Sequence, residues 1–429
     1  MKNNNLVWHT VQKRVDDLIP QEVNPRIITD KQMSDLKKSL KKYNLVEIPA
    51  IDLDGKILAG HQRVKAMQLL GRGNEFIDIR IPNRKLTEDE AKQYLIASNA
   101  LGGDWDFESL KSFNLDILLN AGFDQIQLAK FWDEDNEVKN DDFDVQKELK
   151  KIQNPKTRLG DIITLGRHKI ICQDSTKPET LQRLLGDERV SMIYSDPVYN
   201  LGIDYAGGVG GKKDYGGNVN DSRTFEEYKD FIRGSLQSAL AVSNSDVHVF
   251  YYCDQVYIGL IQEIYRSLGI NNKRVCLWLK NNQNPVPGVA FNKVYEPVVY
   301  GILGKPYLAE SITNLNEVMN KEFGTGNDLI SQVNEFIDVW TAKRLPSKNY
   351  EHATSKPITL HEKAIKRCTK PGDIILDSFL GSGSTLLAGE QLGRKVYGCE
   401  LEPRFCDLII KRYEAFTGDK ARIEHYEKA

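Results

Sequence analysis

Residues 373–385 read DIILDSFLGSGST, an apolar run that leads through a glycine-rich loop into a predicted helix. Gly381 and Gly383 lack a β-carbon, so the backbone of this loop can approach a ligand closely. The next predicted strand, KVYGCE, ends in Glu400, 23 residues after Asp377. This spacing is typical of a carboxylate that binds the ribose hydroxyls of an adenosine-type ligand. The segment therefore predicts an α/β fold with such a ligand at one strand end.

The chemical class of this ligand stays open on the glycine-rich loop alone, and a nicotinamide cofactor is an equal alternative. The third glycine of the dinucleotide fingerprint is absent, however, because Leu386 stands three residues after Gly383. The chain also has no Gly-x-x-x-x-Gly-Lys-[Ser/Thr] segment, which argues against a P-loop NTPase.

Outward from this loop, short apolar runs alternate with helical patterns, as in doubly wound α/β folds. Ligands of such folds bind beyond the carboxyl ends of the strands. The predicted strands are residues 168–172, 190–194, 246–251, 274–279, 296–300, 373–376 and 395–399.

A second polar segment, residues 195–200 (SDPVYN), directly follows an apolar strand. The lone pair of an exocyclic amino nitrogen on a base is delocalised, and two hydrogen-bond acceptors could redirect it towards a methyl donor. The Asp196 carboxylate and the Pro197 carbonyl could be these acceptors, and Tyr199 could stack on a base flipped from a duplex. Taken alone, the segment is more often a structural turn with a buried tyrosine.

Together the two segments resemble the DPPY-type and FxGxGxT signatures of the N6-adenine/N4-cytosine DNA methyltransferases, in the order of the β group. Three further segments resemble that family: residues 172–175 (CQDS), 278–281 (WLKN, with Glu296 following) and 352–357 (HATSKP). The resemblance covers residues 158–416. It implies a Rossmann-like S-adenosylmethionine-dependent domain that methylates a flipped base directly, without a metal or a covalent enzyme intermediate. Asp196, Pro197, Tyr199 and Asn200 would be catalytic, and the cofactor would bind Asp174, Lys356, Asp377, Phe379, Gly381, Gly383, Thr385 and Glu400.

Such a reaction requires Asp196 to lie close to the loop that follows Leu376, with the two at neighbouring strand ends. One residue departs from the family pattern: Val198 replaces a second proline and adds a backbone N–H to the loop. Aspartate at position 196 favours adenine N6 over cytosine N4 by family habit. Methylation of cytosine C5 is disfavoured, because that reaction needs a cysteine nucleophile after a proline and the chain has no Pro-Cys pair.

The N-terminal part predicts a small α+β domain, with helices at residues 30–43, 61–71 and 87–98, a strand pair at 47–52 and 56–59, and a strand at 76–81. Residues 24–26 (NPR), 58–66 (LAGHQRVKA) and 98–106 resemble the ParB-like (ParB/sulfiredoxin) domain. Gly60 and Arg63 match its nucleotide segment, whereas His61 replaces a glutamate. Nucleotide or phosphate binding and a purely structural or docking role both stay open.

These patterns predict a ParB-like domain over residues 1–115, a helical and acidic linker over 116–157 and a methyltransferase domain over 158–420. The acidic stretch 133–144 (DEDNEVKNDDFD) is interpreted as solvated. Between Asn200 and Phe225, a glycine-rich segment with Lys212, Lys213 and Arg223 is either a DNA-binding loop or a plain surface loop. Residues 306–344 occupy the position of the family's target-recognition segment.

The composition places few limits on function. The chain has 429 residues and a formal net charge of −2, which neither supports nor excludes a nucleic-acid partner. No apolar run is long enough for a membrane span, the start lacks a signal peptide, and the six scattered cysteines favour reduced thiols in the cytoplasm. We expect double-stranded DNA as the partner, a homodimer as one option, and a stand-alone modification enzyme of the restriction-modification class. The alternatives are methylation of cytosine N4 or of RNA, and a DNA-binding ParB-like protein with weakened catalysis.

Overall fold

A computed structural model of the chain describes residues 5–21, 28, 30–98, 110, 113, 115–120, 123–202, 221–284, 293–310, 319 and 356–426. The chain divides into two compact units, residues 1–132 and 133–429. None of the helices in these described ranges is long and apolar enough to cross a membrane.

The first unit contains a four-stranded sheet in the order β1-β4-β2-β3 and confirms the predicted α+β pattern. Leu40, Val64 and Met67 place one face of each of its first two helices in a core with Ile51 and Ile79 of the sheet. The helical spacing of these apolar residues explains why the helices form there. The elements are β1 (Trp8–Arg14), α1 (Asp30–Tyr43), β2 (Ala50–Ile51), β3 (Ile57–Ala59), α2 (His61–Leu69), β4 (Phe76–Pro82), α3 (Glu88–Ala97), α4 (Leu115–Asn120) and α5 (Gln125–Asp135).

The second unit is built on a nine-stranded sheet in the order β13-β5-β6-β12-β11-β7-β8-β10-β9. Its strands are β5 (Ile162–Leu165), β6 (His168–Cys172), β7 (Val190–Ser195), β8 (Ser243–Tyr252), β9 (Asn271–Asn284), β10 (Lys293–Leu303), β11 (Ile374–Asp377), β12 (Lys395–Glu400) and β13 (Arg422–Glu424). Its helices are α6 (Val145–Lys151), α7 (Pro178–Leu185), α8 (Phe225–Ala241), α9 (Ile258–Ser267), α10 (Glu362–Cys368), α11 (Ser384–Gln391) and α12 (Pro403–Thr417).

Strands β6, β12, β11, β7 and β8 run parallel, and β10 and β9 extend the sheet antiparallel. Successive residues of β7, Met192 and Ile193, enter different apolar clusters, as do Ile375 and Leu376 of β11. Both sheet faces are therefore covered, which is why these strands read as continuous apolar runs. The predicted α/β class is confirmed. Strands β5 and β13 were not predicted, and β13 extends the fold past the predicted limit at residue 420.

The order of the strands decides where the two polar segments meet. Ile375 and Leu376 of β11 pair in parallel with Met192 and Ile193 of β7. The segments that follow these two strands consequently leave the sheet at the same edge. This is the arrangement that direct methyl transfer requires.

The prediction of a solvated acidic stretch at residues 133–144 is wrong for the residues that pack on the second unit. Asp133 is buried and binds both terminal nitrogens of Arg394, at 2.5 and 2.8 Å. Val138 is buried in the core, and Asp141 receives two hydrogen bonds from Arg412, at 2.6 and 2.8 Å. Net acidity in the sequence did not reveal that buried arginines are the partners of these carboxylates.

Candidate active site

The segments after β7 and β11 are joined by a buried hydrogen bond. The backbone N–H of Ser378 donates to Ser195 Oγ at 3.2 Å, and both side chains are buried. Asp196 and Asp377, the sequence neighbours of these two serines, consequently lie near each other at the ends of adjacent strands. The predicted catalytic segment, residues 195–200, and the glycine-rich loop thus form one candidate site.

Tyr199 and Lys356 both bind the carboxylate of Asp196. The Tyr199 hydroxyl donates to Asp196 Oδ1 at 2.8 Å, and the Lys356 ammonium binds Asp196 Oδ2. The side chain of Asp196 is 31% exposed, whereas that of Lys356 is 9% exposed. The Asp196 carboxylate is therefore more accessible to a ligand than the Lys356 ammonium is. The resemblance implies a place for Lys356 in the cofactor pocket, and the SDPVYN segment predicts that Tyr199 stacks on the base; both roles stay predictions.

Glu296 completes this group. Its Oε2 lies 3.0 Å from the Tyr199 hydroxyl and 3.3 Å from Lys356 Nζ. The pairing of β10 with β9 sets Glu296 opposite Trp278. We call Asp196, Tyr199, Glu296 and Lys356 the carboxylate cluster. From sequence alone, Glu296 has no role beyond its place in a family-like segment, because Tyr199 and Lys356 lie 97 and 60 residues away along the chain.

Burial and charge together set the ionisation of this cluster. Burial alone lowers the pKa of Lys356, but the carboxylates of Asp196 and Glu296 raise it above its usual value. Burial, together with the same two carboxylates, raises the pKa of Tyr199 well above its usual range. The lysine is therefore charged and the tyrosine neutral at physiological pH.

Asn200 fixes the catalytic segment to its surroundings. Its backbone is left-handed, with φ of 56°, a region that asparagine tolerates better than most residues. Its amide accepts from the N–H of Arg223 at 2.6 Å and donates to the carbonyl of Arg223 and the hydroxyl of Tyr257. Its own N–H donates to Asp221 Oδ1 at 2.7 Å. These bonds give the predicted catalytic Asn200 a structural task.

The glycine-rich loop has the conformation that its two glycines predicted. Gly381 and Gly383 have φ of 52° and 79°, in the left-handed region that favours glycine. A β-carbon on Gly381 would meet no atom within 4 Å, so open space lies beside the loop. The Gly381 N–H donates to Glu400 Oε2 at 2.9 Å, which brings the predicted ribose-binding carboxylate to the loop.

Two buried carboxyl groups border this loop. Burial raises the pKa of Asp377 to about 7, although hydrogen bonds from Phe379 and Thr385 oppose the shift. Burial likewise raises the pKa of Glu400 to about 7. Desolvation disfavours the charged form of each, and hydrogen-bond donors from a ligand would favour it. Both groups suit a ligand that donates hydroxyl or amine hydrogens.

The remaining predicted site residues have local partners. Asp174 Oδ1 accepts from both the backbone N–H and the hydroxyl of Thr176, at 2.9 and 2.7 Å. The Arg223 guanidinium lies 4.3 Å above the ring of Phe231, which in turn packs against Phe379. Lys212 and Lys213 lie outside the described residues, as do residues 24–26, 99–106 and 352–355 and nearly all of 311–355.

In the first unit, the predicted ParB-like residues bind neighbouring residues of that unit. Gly60 precedes α2 with φ of 92°, and Arg63 forms an ion pair with Glu47. His61 Nε2 lies 3.4 Å from the N–H of Gln21, and burial lowers the pKa of His61 to about 4. His61 is therefore neutral at physiological pH and adds no charge for a phosphate.

Comparison with known proteins identifies the family of the second unit. Residues 190–411 match the N6_N4_Mtase family, described as DNA methylase. The type II methyltransferase M2.DpnII of Streptococcus pneumoniae is 30% identical over 239 residues, which are 53% of this chain and 84% of that protein. The type II methyltransferase M2.LlaDCHI of Lactococcus lactis subsp. cremoris is 30% identical over 236 residues, 52% of this chain and 82% of that protein.

Among solved structures, the PvuII DNA methyltransferase (cytosine-N4-specific) aligns with 60% of this chain and 95% of its own, with a TM-score of 0.41 and 16% identity. The family match spans the catalytic segment, the glycine-rich loop and the strands that bring them together. The chain therefore belongs to the N6_N4_Mtase family of DNA methylases.

Proposed function

We propose that this chain transfers a methyl group from S-adenosylmethionine to the exocyclic N6 of adenine at a specific site in double-stranded DNA. The observation that supports this most is the adjacency of Asp196 and the glycine-rich loop, joined through Ser378 and Ser195. An acceptor for an amino group and a loop suited to an adenosine-type ligand then lie side by side.

Each part of the site has a task in this reaction. The Asp196 carboxylate and the Pro197 carbonyl accept the amino hydrogens and orient the nitrogen lone pair. The open space beside Gly381 and the Glu400 carboxylate fit the adenosine part of S-adenosylmethionine. When bound, this cofactor supplies the methyl group on its sulfonium. The largely buried Lys356 forms ion pairs with Asp196 and with Glu296 and so holds Asp196 in place.

The test is nucleoside mass spectrometry combined with modification-sensitive sequencing of DNA from cells that express the full chain. We expect N6-methyladenine in one fixed short context, and its loss in Asp196→Ala. Asp187→Ala, which changes an exposed aspartate outside the site, should leave the modification unchanged. N4-methylcytosine, or methylation of RNA alone, would replace the proposed substrate. Binding of S-adenosylmethionine without any methylated product would favour a DNA-binding protein with weakened catalysis.

For the first unit, we propose a structural or docking role in preference to nucleotide hydrolysis. Arg63 is paired with Glu47, and neutral His61 replaces the glutamate of the ParB-like segment. Phosphate binding at the start of α2 would require Arg63 to leave Glu47. Titration of the full chain with a nucleoside triphosphate should show no saturable binding, and micromolar affinity would contradict this proposal.

A further inference from the structure

Lys356 is shared by two carboxylates. Its ammonium binds Asp196 and lies 3.3 Å from Glu296 Oε2, and it faces the rings of Tyr252 and Trp278 at 4.4 and 5.6 Å. The side chain of Glu296 is 12% exposed. With Asp196 and Glu296 ionised and Lys356 protonated, the cluster carries a net charge of −1. Without Glu296, the lysine would neutralise Asp196 completely.

We infer that Glu296 is a positioning residue for methyl transfer: it shares the Lys356 ammonium and so preserves the negative charge with which Asp196 acts on the target amino group. This inference rests on the proposed function. A carboxylate paired only with a buried ammonium is a weaker hydrogen-bond acceptor and binds a proton less tightly. Glu296 therefore sets the hydrogen-bond-accepting strength and the basicity of Asp196 through the Lys356 ammonium.

The proton balance of the reaction shows why this charge matters. As the new N–C bond forms from the N6 lone pair, the S–C bond breaks and its electrons stay on sulfur. The amino nitrogen then holds one proton in excess, and in the proposed reaction this proton passes to Asp196, whose carboxylate accepts its hydrogen bond. Tyr199, hydrogen-bonded to Asp196 and within 3.0 Å of Glu296, lies between the two carboxylates. Among the described residues, further ionisable groups that interact electrostatically with members of the cluster are Tyr194, Tyr251, Tyr252, His361 and Asp377.

The test is single-turnover methylation of a duplex containing the target site, by the purified full chain with S-adenosylmethionine, from pH 5 to 9. Glu296→Gln removes the negative charge but keeps the shape of the side chain and a carbonyl oxygen beside the Tyr199 hydroxyl. We expect its rate to fall roughly 10- to 100-fold, less than the roughly 10²- to 10⁴-fold contribution of a general base itself, because Glu296 acts through Lys356. The acidic limb of its pH profile should move to lower pH, because the cluster has lost one negative charge. Binding of S-adenosylhomocysteine should stay within about twofold of the wild type.

Two further variants separate positioning from a structural role. Glu296→Asp keeps the charge and should recover part of the rate and the wild-type pH limb. Glu263→Gln removes an exposed carboxylate that pairs with Lys229 and should behave as the wild type. An unchanged rate in Glu296→Gln, or an equal loss in Glu296→Asp with an unshifted limb, overturns the inference. If the wild type itself yields no methylated nucleoside, the proposed function fails instead.

Discussion

The backbone N–H of Ser378 donates a hydrogen bond to Ser195 Oγ, which joins the segment after β11 to the last residue of β7. The bond is buried at both ends and spans 183 positions of the chain. The parallel pairing of β7 and β11 places the glycine-rich loop beside Asp196, and this hydrogen bond adds a buried polar contact between the two segments.

Ser195→Ala should lower the free energy of unfolding of the second unit by about 1–3 kcal/mol, because a buried N–H loses its acceptor. Urea denaturation measures this change. Ser191→Ala, in the same strand but with a partly exposed side chain, should change it by less than about 0.5 kcal/mol. Equal stability of the two variants would show that Ser378 finds another acceptor.

Asp141→Ala should destabilise the second unit by roughly 3 kcal/mol, since it leaves a buried arginine without its carboxylate. Arg412 also donates to the carbonyl of Ser382 at 2.9 Å, within the glycine-rich loop. Affinity for S-adenosylhomocysteine, measured by titration calorimetry, should therefore fall as well. The matched change at the exposed Asp142 should alter neither quantity. Wild-type affinity in Asp141→Ala would mean that the loop keeps its shape without Arg412.

Binding of S-adenosylhomocysteine should strengthen as pH rises from 6 to 8. The pKa of Glu400 is raised to about 7, so the carboxyl is largely protonated below that pH and becomes the better acceptor above it. Each proton released on binding changes affinity by up to roughly tenfold per pH unit below the pKa. Titration calorimetry at several pH values measures the slope of this affinity against pH. Glu400→Gln should make this slope clearly smaller, and Asp377, whose pKa is also raised to about 7, accounts for any slope that remains. A flat wild-type profile would contradict the assignment.

The same shift has the opposite effect on the stability of the ligand-free chain. A carboxyl with a raised pKa in the folded state binds protons more tightly when folded. The stabilisation that Glu400 adds to the free energy of unfolding is therefore complete below about pH 4.5 and is lost as pH rises through 7. Thermal unfolding of the ligand-free chain should therefore show stability falling over this interval, and Glu400→Gln should flatten that fall. A fall of equal size in the variant would assign the effect to other groups.

Val198→Pro should preserve or raise turnover. Val198 contributes its carbonyl, which accepts from the Tyr228 hydroxyl at 3.0 Å, and proline keeps that acceptor while fixing φ. The rate of methylated-nucleoside formation by purified enzyme measures the effect. A clear loss of turnover would show that the valine is adapted to this loop.

Much of the catalytic unit was predictable from the sequence. The apolar runs before Asp196 and Asp377 predicted parallel strands, because both faces of such strands are buried. The left-handed conformations of Gly381 and Gly383 follow from local chemistry, since few other residues adopt them without strain. The helix after this loop begins at Ser384, as predicted.

Other features depended on contacts between distant parts of the chain. The sequence placed Lys356 in a family-like segment, but only the fold shows that its ammonium lies between Asp196 and Glu296. The partners of Asp133 and Asp141 were equally impossible to predict, because a run of acidic residues is usually solvated. Each of these aspartates instead pairs with an arginine more than 250 positions away along the chain. Local backbone preference and apolar periodicity act between neighbours along the chain and can be read from it. Charge pairing depends on three-dimensional distance and burial, which only the packing of the folded chain creates.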